Sequence, residues 1–117
     1  VKEFDRWGKE AIDKSLNNLK QIIKLTDKNK INLNIFYLYE PMLIIKKPNK
    51  KQFDYLINGL KGLEKTNVNI NFIRDVYKEF KNSYEAYRNL FFINDIHLNK
   101  RGNQKVSEEI LKKINFN

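Results

Sequence analysis

The stretch 31–39 constrains this chain most. Ile31, Leu33 and Ile35 alternate with asparagines, and the alternation then gives way to the unbroken run Phe36, Tyr37, Leu38 and Tyr39, which Glu40 and Pro41 stop. Alternation that passes into a continuous β-branched and aromatic run reads as a strand entering a core, apolar on both faces. A second strand is expected where Val68, Ile70 and Phe72 alternate, with Ile73 following. Helical stripes flank both. Over 4–26 the apolar positions Phe4, Trp7, Ala11, Ile12, Leu16, Leu19, Ile22, Ile23 and Leu25 are spaced by threes and fours, the mark of a long amphipathic helix. Phe53, Leu56, Ile57, Leu60 and Leu63 predict a second helix, weakened near its end by Gly59 and Gly62. Val76, Tyr77, Phe80 and Tyr84 predict a third over 75–87, and Val106, Ile110, Leu111 and Ile114 a last one, whose Lys112 and Lys113 suit the negative end of a helix dipole. Strands alternating with helices mean parallel strands joined by helical crossovers, with helices on both faces of the sheet: a three-layer α/β/α arrangement.

Two strands are too few for such a sheet, because an isolated pair is marginal in water and leaves an apolar edge bare. The strand at 31–39 is therefore expected to have a neighbour supplied by an N-terminal half outside this sequence or by another chain. The first residue is Val1 and a helical pattern opens at once, as in a piece of something longer. The 117 residues are enough for one core, and 32% charged with 13% aromatic residues is far from a disordered composition. Without cysteine there is no disulfide framework and no thiol nucleophile; with a single His a structural transition-metal site is not expected, and no cofactor is implied. The apolar runs at 35–39 and 90–93 are too short to span a bilayer, and no signal segment opens the chain. The compartment stays unassigned.

A formal charge of +9 raises the question of nucleic acid, since cations that neutralise phosphates supply affinity independent of sequence. The excess is spread evenly along the chain, and Lys outnumbers Arg, whereas base-edge recognition favours Arg. Lys, Asn and Ile all have codons rich in A and T, so genomic base composition accounts for the bias. The alternative reading is a basic α/β nucleic-acid-binding module in which Lys46, Lys47, Lys50 and Lys51 meet phosphates and Tyr37 or Tyr39 stacks on bases.

The chemically informative stretch is 94–103, where Asn94, Asp95, Ile96, His97, Leu98, Asn99, Lys100, Arg101, Gly102 and Asn103 run into the last helix. It puts an acid beside the sole imidazole in a loop. In a parallel sheet, loops beyond the carboxyl ends of the strands line the ligand crevice. His takes and returns a proton near neutral pH, and a carboxylate on its second nitrogen fixes the tautomer and stabilises the imidazolium. Each part also has a plain structural reading: Asn99 as a helix cap and Gly102 as a turn.

The combination of Asp95, His97, Asn99 and Gly102, preceded by Leu90, Phe91, Phe92 and Ile93 and followed by an amphipathic helix, resembles the last conserved block of the SGNH hydrolases, the GDSL-like esterases and lipases. Residues 31–41 resemble the strand and Pro that precede that block, and 68–80 the next strand with its Asp and Phe. The resemblance covers residues 1–117 as the C-terminal part of a single such domain, and implies a flavodoxin-like sheet. It also implies a serine esterase or O-acyltransferase of which this chain supplies acid and base, acting on a small-molecule or carbohydrate ester. The family usually places its acid three residues before the His, where Asn94 stands; Asp95, two before, is preferred because Asn cannot stabilise an imidazolium by charge, and the position stays open between them. Ser15, Ser83 and Ser107 all fall in helical patterns without a nucleophile's tight turn, so no nucleophile is assigned and the chain alone is expected to be inactive.

Overall fold

The computed structural model describes residues 8–42 and 50–114. Their elements run α1 (Lys9–Lys28), β1 (Leu33–Leu38), α2 (Lys50–Lys61), β2 (Val68–Ile73), a 3-10 turn (Asp75–Tyr77), α3 (Ser83–Leu90) and α4 (Lys100–Lys113). The chain is thus mixed α/β, and β1 and β2 form a two-stranded sheet. Leu33 N–H donates to Asn67 O at 2.9 Å and Tyr39 N–H to Ile73 O at 3.0 Å. Both partners advance in step in one direction, so the pair is parallel. The first strand is shorter than its sequence pattern, for Ile31 lies outside it and is 52% exposed. All of β1 is half-buried rather than sealed on both faces, because among the described residues it has one neighbouring strand. No helix among the described residues is long and apolar enough to cross a membrane.

The chain divides into two compact units, Val1–Ile35 with Asn49–Ile70 and Phe36–Pro48 with Asn71–Asn117. In the first, α1 packs on α2. Ile12, Leu16, Leu19 and Ile23 follow one another at helical spacing along the inner face of α1, whereas Leu25 stands off it at 63% exposure. A Cβ added at Gly59 would lie 2.5 Å from Leu16 Cδ1, so the missing side chain in α2 is what lets Leu16 sit where it does. Ile57, Leu60, Leu63, Val68 and Ile70 complete this core. At its margin the Asp13 carboxylate accepts from Tyr55 OH, and the Asp27 carboxylate from the Lys65 and Asn67 side chains. These bonds hold both acids below the usual carboxylate range.

In the second unit Ile73, Val76, Tyr77, Ala86, Leu90 and Phe91 are buried. The helix predicted over 75–87 is two pieces. Asn82, with extended backbone, accepts at its side chain from Glu85 N–H at 2.8 Å and so starts a new helix at Ser83. The preceding 3-10 turn seats Tyr77, whose hydroxyl donates to Tyr39 O at 2.7 Å. Burial pushes that phenol's pKa well above its ordinary range. The last helix begins earlier than its apolar stripe, at Lys100, and α4 packs on both α3 and the 3-10 turn.

Candidate active site

The segment that carries Asp95 and His97 is a closed loop between α3 and α4, fixed at its base by backbone pairing. Phe91 and Leu98 form an antiparallel bridge. Phe92 N–H donates to His97 O at 3.0 Å, and Asn99 N–H to Leu90 O at 2.9 Å. At the tip Asp95 N–H returns to Phe92 O at 3.2 Å, closing a turn in which Asn94 has φ 55°. A left-handed residue at a turn is most easily Asn or Gly, which is a physical reason for Asn94 that has nothing to do with acid chemistry.

The turn sets Asp95 against the imidazole two residues on. Asp95 Oδ1 accepts from His97 backbone N–H at 2.9 Å and lies 2.5 Å from His97 Nδ1. Those two bonds, the backbone one first, hold the Asp95 carboxyl below its usual range, so it is a carboxylate and only accepts. Against an acceptor-only carboxylate Nδ1 is the donor of the bond, and Nε2 is the ring nitrogen outside the pair. No hydrogen bond reaches Nε2 among the described residues, and the His97 side chain is 78% exposed. Chemically this is an oriented base whose conjugate acid has a carboxylate beside it.

Asn99 and Gly102 build the platform. Asn99 caps α4, its Oδ1 accepting from Gly102 N–H at 2.9 Å, while its Nδ2 donates to Asn89 O at 3.0 Å and Phe91 O at 3.2 Å. One side chain thus ties the start of α4 to the end of α3. Gly102 is buried, and a Cβ there would lie 2.1 Å from Leu90 O and 2.9 Å from Leu98 Cδ2. Only glycine permits that approach. Arg101 braces the same joint through Asn89 Oδ1 at 3.1 Å.

Among the serines, Ser107 Oγ donates to Asn103 O one turn back, Ser83 opens α3 and Ser15 lies in α1; no bond joins any of them to His97 among the described residues. No group of three or more His, Cys, Asp or Glu capable of holding a metal occurs among the described residues. For the nucleic-acid alternative, Lys46 and Lys47 and the Lys50 side chain lie outside the described residues, and Lys51 is exposed. Tyr39 is 9% exposed and its ring packs against Tyr37 and Phe72, with centroids 5.4 and 6.0 Å away, so its faces are not open to a base. What the sequence pattern missed is the loop's outer surface: with α3 it forms a groove of about 630 Å³ lined by Tyr84, Arg88, Phe92, Ile93 and Ile96 among others. The apolar run at 90–93 was its only signal, and half of that run faces solvent. Compared with family models, with curated proteins and with solved structures, the chain matches none.

Proposed function

We propose that this chain is the C-terminal part of an SGNH-type serine esterase or O-acyltransferase, contributing Asp95 and His97 to a Ser-His-Asp triad whose Ser lies outside these residues. The observation that carries the reading is the 2.5 Å pairing of Asp95 Oδ1 with His97 Nδ1, which leaves Nε2 open on an exposed ring. In this role Nε2 takes the proton from the serine hydroxyl as it attacks the ester carbonyl, Asp95 stabilises the resulting imidazolium, and His97 returns the proton to the departing alkoxide. The acyl-serine is then released to water or to a sugar hydroxyl by the same steps in reverse. The half-buried β1 fits a flavodoxin-like three-layer sheet completed by the segment that brings the nucleophile, or by another chain.

Fusing or mixing the chain with an N-terminal half that carries a Gly-Asp-Ser segment is the test. Hydrolysis of a nitrophenyl ester should appear only in the combination, and His97→Ala should abolish it. A restored rate indifferent to that substitution refutes the assignment.

A further inference from the structure

The groove beside the loop has two properties that the triad reading does not use. Its walls are apolar and face water: Ile93 is 92% exposed, Ile96 78%, Tyr84 72% and Phe92 57%. Single exposed apolar side chains are ordinary, but four large ones around one depression make a patch of the kind that marks binding sites. The hydrogen bonds within 90–99 fix the backbone that carries Phe92, Ile93 and Ile96, so these side chains are held outward in advance of any ligand. The volume, about 630 Å³, falls in the range of small-molecule sites.

The second property is charge placement. Arg88 lines the groove from the last turn of α3 and is engaged by no hydrogen bond or ion pair among the described residues. The acid one helical turn before it, Glu85, accepts from Lys81 N–H at 3.0 Å. Asp95 also lines the groove, with Oδ1 occupied by His97. A cation and a carboxylate in one apolar depression orient a ligand that has a single anionic end.

We propose that this groove binds a small amphiphile with an apolar tail and one carboxylate head, the tail along Phe92, Ile93, Ile96 and Tyr84 and the head on Arg88, away from Asp95. A guanidinium grips a carboxylate with paired, charge-assisted hydrogen bonds, and the rigid apolar walls supply the rest of the affinity. The inference does not depend on His97 serving a serine.

Titrations of the 15N-labelled chain with octanoate, and with 1-octanol as the uncharged analogue of equal tail length, test it by amide chemical shifts. Octanoate should shift residues 84–97 and bind about tenfold more tightly than octanol, a preference that Arg88→Gln removes while octanol binding stays. Replacing both isoleucines, Ile93→Asp with Ile96→Asp, should weaken both ligands by more than tenfold. Equal affinity for the two ligands, shifts centred elsewhere, no shifts at millimolar ligand, or a patch covered by self-association that the double substitution dissolves would each overturn the proposal.

Discussion

The Asp95 carboxylate meets His97 twice, at the backbone N–H and at Nδ1. The two bonds predict a particular titration. Asp95 should ionise below the ordinary carboxylate value, so whatever stability the pairing contributes is present above that value and is lost as pH falls through the lowered one. In His97→Ala the side-chain bond goes but the backbone N–H still donates, and the Asp95 midpoint should rise only part of the way back. Carbon-13 NMR of the Asp95 carboxyl measures this; an unchanged midpoint, or one fully restored, contradicts the geometry. At this scale the sequence was legible in part. The acid–imidazole spacing pointed to Asp95 and His97, but nothing in it distinguished Asn94 as a turn residue from Asn94 as a degenerate acid, because that distinction is a backbone angle. Asn99 could be read as a cap; its second bond set, to the Asn89 and Phe91 carbonyls, depends on where α3 ends.

The elements around the loop show what a periodic pattern can and cannot carry. Apolar spacing located α1, α2 and both strands, since each buries one stripe or one pleat face. It ran 75–87 together because Val76, Tyr77, Phe80 and Tyr84 fit a helical repeat, whereas Asn82 offers the backbone a competing bond that restarts the helix. Tyr77, buried before the break, should report on that arrangement: Tyr77→Phe leaves the buried Tyr39 carbonyl without its 2.7 Å partner and should cost about 1–2 kcal/mol in urea unfolding. The joint between α3 and α4 is stricter. Gly102→Ala drives a Cβ into the Leu90 carbonyl, a backbone atom that cannot rotate away, and should cost about 2–3 kcal/mol despite alanine's better helix propensity. A urea midpoint at or above the parent's would show that α4 does not approach Leu90 as closely as described.

Over the whole chain, the α/β class follows from strands alternating with helices, and a parallel pair is what forms. The layers beyond that pair were not legible, for a strand apolar on both faces announces neighbours without naming them. The charge of +9 is equally mute about partners, because the excess of cations over acids is spread along the sequence and forms no stripe. Function therefore rests on whether Asp95 and His97 act as one unit on a serine brought by another segment. The most direct measurement is kcat/KM for ester hydrolysis by the fused chain carrying His97→Ala, Asp95→Asn, or both. The account predicts that Asp95→Asn lowers the rate by about four orders of magnitude and His97→Ala by about six, and that the double variant is no worse than His97→Ala alone. Losses that multiply, or an Asp95→Asn enzyme as fast as the parent, would contradict it.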